Sequence, residues 1–165
     1  MILLGLMMAC GKDPAMVVAG IESQNPVIRE DMVLIARNVE DPAVTAALVG
    51  ALDDSSPTIR QRAIESLARL GDPAVAPEIV ARLQDEEAEI RRAAVDALGK
   101  LGNPETVQPL LAYVETTSPP PLNALWALGE LGSAEAIPLL GTLRESDDPY
   151  IAYNSDVALR KLPAR

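Results

Sequence analysis

Residues 56–83 read SPTIRQRAIESLARLGDPAVAPEIVARL. Ile59, Ala63, Ile64, Leu67 and Leu70 follow one another at spacings that place them on one face of an α-helix, here called helix A. Gly71 comes directly after the last of them, where a left-handed residue that closes a helix is least costly as Gly. Asp72 and Pro73 then offer an N-cap and a first-turn proline, the usual opening of another helix. Ile79, Val80 and Leu83 mark that second helix, B, with a narrower apolar stripe.

The same unit recurs along the chain. Helix A returns 31 positions later as Ile90, Ala94, Val95, Leu98 and Leu101, and 31 positions earlier as Ile28, Met32, Val33, Ala36 and Val39. Helix B is preceded by Leu48, Val49 and Leu52 and followed by Leu110, Leu111 and Val114. Gly102 and Gly132 repeat the closing glycine, and Asp41-Pro42 and Asn103-Pro104 repeat the opening pair. Val17, Val18 and Ile21 suggest a leading half-repeat. Apolar face, caps and period agree, which is stronger than any short motif.

Later units depart from strict spacing. Ala124, Leu125, Leu128 and Leu131 lie 30 residues beyond their counterparts, and Pro119, Pro120 and Pro121 delay the start of that helix A. Leu139, Leu140 and Leu143 match helix B at 29, a second expected deletion. The last helix A, ending at Leu159 and Leu162, carries Ser155 and Asp156 at two core positions. They are expected to form the polar outer face of a capping helix, since nothing stacks beyond it.

Two segments, 56–83 and EAEIRRAAVDALGKLGNPETVQPLLAYV at 87–114, resemble HEAT-like repeats of the short phycobilisome-lyase variety, and the resemblance covers about residues 13–162. The expected fold is an all-α, right-handed α-solenoid, an armadillo-like superhelix of four to five helix pairs. Repeats are expected at about 23–54, 55–85, 86–115 and 116–145, with a capping helix at 146–162. The family resemblance also implies that the B helices line the concave side. Such repeats occur in pigment lyases, in regulatory subunits and in proteins of unassigned role, so the fold does not carry a function.

Composition removes most enzyme classes. The 165 residues include no His, no Phe and one Cys, with 14 Lys+Arg against 24 Asp+Glu and a net charge of −10. Without His there is no Ser-His-Asp or Cys-His catalysis and no His-ligated metal. One Cys excludes an internal disulfide and a CxxC site. The acidic balance opposes nucleic-acid binding, which needs surplus Lys and Arg to displace counterions. Apolar residues make up 48% of the chain and aromatic residues 2%, so the core is expected from Leu, Val, Ile and Ala. Asp53-Asp54 and Asp85-Glu86-Glu87 lie in recurring turns and lack the spaced oxygens and central Gly of an EF-hand. No phosphate loop, nucleophile elbow or metal-ligand cluster is present. The expectation is a protein that is not an enzyme and takes no cofactor or metal.

The amino terminus carries its own signal. Residues 1–9 are apolar and uncharged, and end at Cys10, Gly11 and Lys12. That run is too short to span a bilayer, which takes about 20 residues. Ala9-Cys10 resembles the lipobox of bacterial lipoproteins, although Met7 and Met8 replace its usual residues and the basic n-region is missing. Residues 1–12 are therefore expected to be a signal and tether, with Cys10 lipidated and residues 13–165 forming the repeat domain. The competing reading is a packed first helix with Cys10 as a small buried hydrophobe.

Arg29, Arg60 and Arg91 each follow the Ile that opens helix A. They are read as a structural ladder that pairs with Asp53, Asp54 and Asp85 and satisfies the end of the preceding helix B; the alternative is a basic row gripping an acidic partner. Trp126 aligns with Glu65 and Asp96 and is open to a core or an interface reading. With Tyr113, Tyr150 and Tyr153 it places all the aromatic residues in the C-terminal third, the expected partner-binding region. The combined expectation is a monomeric protein-binding scaffold, lipid-anchored in a bacterial envelope and in the outer membrane of a two-membrane host. Its partner is a protein of unknown identity, not nucleic acid, and the membrane is reached only through the lipid. The alternatives are a cytoplasmic regulatory or adaptor subunit and, as the resemblance permits, a pigment-lyase-like protein.

Overall fold

The computed structural model describes residues 13–163; the expectations for residues 1–12, Cys10 included, lie outside the described residues. Those described form ten α-helices and no strand. In chain order the helices are α1 (Pro14–Ile21), α2 (Pro26–Ala36), α3 (Pro42–Gly50), α4 (Pro57–Leu70), α5 (Ala76–Val80), α6 (Ala88–Leu101), α7 (Val107–Thr116), α8 (Leu122–Leu131), α9 (Ile137–Leu143) and α10 (Pro149–Leu159). Short 3-10 turns lead into α5, α7 and α9 and follow α3 and α5. The chain divides into two compact units between Asp72 and Pro73.

In the first unit the A-type helices α2 and α4 pack side by side, with the B-type helices α1 and α3 against them. Val17, Met32, Val33, Leu48, Leu52, Ile59, Ile64 and Leu67 form the core. In the second unit the A-type helices α6, α8 and α10 form a row, covered by α5, α7 and α9. Ile79, Ile90, Leu98, Leu110, Leu125, Leu128 and Leu140 are its largest fully buried side chains. Both cores are aliphatic, as the shortage of aromatic residues requires.

Local signals explain the helix ends. Gly71, Gly102 and Gly132 take φ of 76°, 67° and 66°, and so close α4, α6 and α8 in the left-handed region. The first repeat has Glu40 in the corresponding position. Accordingly α2 stops at Ala36, three residues short, and leaves through tight bonds from Asn38 N–H to Ile35 O and from Val39 N–H to Ala36 O. Val39 is still buried, outside the helix. At helix starts, the carboxylates of Asp13, Asp41 and Asp148 and the side-chain carbonyl of Asn25 accept from main-chain N–H groups two residues on.

Two register expectations are corrected. In α9 Leu140, rather than Leu139, is the fully buried residue, and it lies 30 positions after Leu110. The turn Ala134–Ala136 likewise lies 30 positions after Pro104–Thr106. The fourth unit therefore contains one deletion, not two, and it precedes α8. Ser155, expected on the outer face of α10, is instead fully buried, four residues after the buried Ile151. Only Asp156 behaves as an outer polar residue, pairing with Arg160.

The Ser155 Oγ has no hydrogen-bond partner among the described residues. A buried hydroxyl left unsatisfied costs about 1–3 kcal/mol. The equivalent residues in the preceding A helices are Ala124, Ala94 and Ala63, all buried. Ser155→Ala is thus expected to stabilise the protein by roughly 1 kcal/mol in urea titration. An unchanged or lowered midpoint would show that the hydroxyl is satisfied in solution.

Candidate functional site

The arginine row is built into the turns that precede the A helices. Arg29 Nη1 donates to the carbonyls of Ser23 and Gln24, at 2.9 and 3.3 Å. Arg91 Nη1 donates in the same way to Asp85 O and Glu86 O, at 2.7 and 2.9 Å. Arg60 Nη1 reaches Asp54 O at 2.9 Å, and only 7% of this residue is exposed. In each case an acceptor lies six residues before the arginine. The turns also hold themselves: Ser56 N–H donates to Asp54 Oδ1, and Glu87 N–H to Asp85 Oδ1.

Arg29 goes further, with Nε and Nη2 gripping the two carboxylate oxygens of Asp54 at 2.7 and 3.2 Å. The Asp54 hydrogen bond holds the Arg29 guanidinium above its ordinary pKa. Burial alone would push the Asp54 carboxyl up. The bonds from Arg29 and the Ser56 N–H, with the charges of Arg29 and Arg60, outweigh it and hold the carboxyl below the usual carboxylate range. Arg29 and Arg60 thus brace the turns at Ser23–Gln24 and at Asp54. Arg91 lines a polar cavity of about 500 Å³ together with Asp85, Tyr113, Thr116, Thr117 and Ser118.

The four aromatic candidates separate. Tyr113 is 9% exposed, so most of its ring packs against the core and only its remaining surface meets the polar cavity beside Arg91. It lies three residues after Leu110 and so shares the buried side of α7. Trp126 is half-buried on α8, its ring close against Gly99 of α6. Tyr150 and Tyr153, at 69% and 68%, are the most exposed large apolar residues of the described chain, and Leu122 at the start of α8 is 39% exposed. Leu122 and Tyr153 are 31 residues apart on adjacent A helices, and Glu130 of α8 pairs with Lys161, 31 residues on and just past the end of α10. Leu122, Trp126 and Tyr153 therefore fall on the outward side of the α8–α10 row.

No group of three or more His, Cys, Asp or Glu among the described residues is arranged to hold a metal. No described helix is long and apolar enough to cross a membrane.

The HEAT-repeat family pattern matches residues 14–87, 46–123 and 77–160. The chain belongs to the HEAT-repeat family. No curated protein sequence matches it. The HEAT-repeat chain is similar to a chain of the CpcE–CpcF complex of phycocyanin lyase from Nostoc sp. PCC7120, with a TM-score of 0.76 and 23% identity over 90% of this chain and 64% of that one. It is similar to YibA of Escherichia coli, with a TM-score of 0.71 and 19% identity over 93% of this chain and 57% of that one. A designed armadillo repeat protein in complex with a (KR)4 peptide matches with a TM-score of 0.66 and 18% identity over 96% and 85% of the two chains. The chain thus spans less than two-thirds of the lyase subunit and of YibA, and these likenesses establish an α-solenoid fold.

Several HEAT-repeat contacts carry no obvious sequence signal. Buried Ser66 of α4 donates to Val33 O of α2 at 2.8 Å, joining neighbouring A helices. The Asn103 amide donates to Pro73 O while its carbonyl accepts from Glu105 N–H, so one side chain ties two turns. Asn123 of α8 reaches Asp96 and the Arg92 carbonyl of α6. Gly99 and Gly129 lie inside helices where no turn requires glycine. A Cβ on Gly99 would come within 2.8–3.0 Å of Trp126 and Ala127, and one on Gly129 within 3.0–3.1 Å of Ala158. Their spacing of 30, equal to the offset between α6 and α8, is the one clue that both mark contacts between A helices.

Proposed function

We propose that this HEAT-repeat chain is a noncatalytic scaffold that binds a protein partner through the outward side of α8 and α10. The observation that carries the reading is the exposure of Tyr150 and Tyr153 on α10 and of Leu122 on α8, with Trp126 half-buried one turn after Leu122. Tyr and Trp dominate interface energetics because they bring large contact areas with few rotatable bonds. Helices fixed by packing lower the ordering cost of association. A net charge of −10 favours a partner surface with surplus positive charge. The absence of His and of any nucleophile–base pattern in the sequence supports a binding role over catalysis.

Crosslinking in the native host followed by mass spectrometry identifies the partner, and Tyr150→Ala/Tyr153→Ala tests the surface. The double variant is expected to weaken binding roughly thirtyfold or more, as loss of a hot spot does, while its thermal midpoint stays near that of the parent. Unchanged binding would place the interface elsewhere. We also propose that Cys10 carries a lipid that tethers the scaffold to the bacterial envelope. This rests on residues 1–9 and the Ala9-Cys10 junction; labelled fatty acid should enter the parent protein and not Cys10→Ala.

A further inference from the structure

We propose that Arg91 and the cavity beside it form a binding site for a single carboxylate, supplied by an Asp or Glu side chain of a partner segment that is otherwise neutral or basic. The molecule contains its own template. Arg29 and Arg91 occupy equivalent positions, and each spends Nη1 on two carbonyls of the turn before its helix. Arg29 then directs Nε and Nη2 at the carboxylate of Asp54, 25 residues on. The residue 25 positions after Arg91 is Thr116, whose hydroxyl turns back to donate to Ala112 O at 2.7 Å. Among the described residues, Nε and Nη2 of Arg91 have no hydrogen-bond partner and no paired carboxylate.

What lies there instead is the cavity of about 500 Å³, with Thr117 and Ser118 supplying further hydroxyl groups at its wall. The planar fork of a guanidinium matches the two oxygens of a carboxylate, and Nη1 already holds the side chain in place. A guest carboxylate would reproduce at Arg91 the paired geometry that Asp54 supplies at Arg29. Asp85, also on the cavity wall, and the net charge of −10 oppose a run of acidic residues, so the site selects one carboxylate in a segment without other negative charge. It lies apart from the tyrosines of α10 and stands whether or not they bind.

The probe is the peptide acetyl-Gly-Asp-Gly-amide, with acetyl-Gly-Asn-Gly-amide as its neutral isostere, titrated into the whole protein. NMR follows the Arg91 Nε–H signal and the main-chain amides of Thr117 and Ser118. The aspartate peptide is expected to shift these signals saturably at low salt and the asparagine peptide to leave them in place. Arg91→Gln should weaken the response of the amides roughly tenfold, the scale of a lost charge-assisted hydrogen bond. Because Arg91 also braces its turn, Thr116→Asp is the second variant: it places the chain's own carboxylate opposite Arg91 and should abolish the response in a folded protein. Equal shifts from both peptides, a response that survives Thr116→Asp, or a response to inorganic phosphate but not to the aspartate peptide would overturn the proposal.

Discussion

Leu128→Ala is expected to remove about 3 kcal/mol from the unfolding free energy of the C-terminal unit. Leu128 is fully buried in α8, the helix that packs against α6, α7 and α10. Truncation removes three carbon atoms from a layer held on both sides by neighbouring A helices, so the space left behind has little freedom to collapse. The loss therefore includes the cavity as well as the transfer of the missing atoms. Trp126 is the only Trp of the chain and lies two residues away, so its fluorescence during urea titration reports on this unit. A loss below about 1 kcal/mol would show that the neighbours repack freely and that α8 does not anchor the unit.

Gly129→Val should cost roughly 2–3 kcal/mol, from the opposite cause. A mid-helix glycine is ordinarily a weakness, about 1 kcal/mol worse than alanine, and filling it normally stabilises. Here the added carbon meets Ala158 Cα at 3.0 Å and Cβ at 3.1 Å, and main-chain atoms cannot move aside as a flexible side chain can. α8 and α10 would have to separate, loosening the contacts around Leu128 and Ala158. Gly50, with nothing within 4 Å of its missing Cβ, is the internal control. Gly50→Ala should be neutral or mildly stabilising. A gain in stability for Gly129→Val would mean that the two helices are not in close contact in solution.

These glycines show where a single sequence becomes hard to read. Periodicity depends on residues of one helix, so the inward faces around Ile59, Ile90 and Leu125 were legible from spacing alone. The left-handed glycines were legible because a turn's needs are local. Close approach between α8 and α10 depends on residues about 30 positions apart, and glycine by itself does not say which neighbour it admits. Ser155 misled for a related reason: its polarity pointed outward, while the backbone register placed it in the core. Tyr113 could have been assigned to the core from its spacing to Leu110. The arginine row was legible as structure, yet what sets Arg29, fully engaged by Asp54, apart from Arg91 is a partner 25 residues on, carboxylate in one case and hydroxyl in the other. No spacing rule announces that one member of a repeated set has an unfilled fork.

Asn25 and Asn103 both cap helical turns, and each is followed by proline. Spontaneous deamidation of asparagine begins with attack by the next residue's peptide nitrogen, which must shed a hydrogen. Proline has none to give. The two amides on which these turns depend are therefore shielded from the commonest chemical ageing of asparagine, and a protein that cells keep for long periods would retain those joints intact.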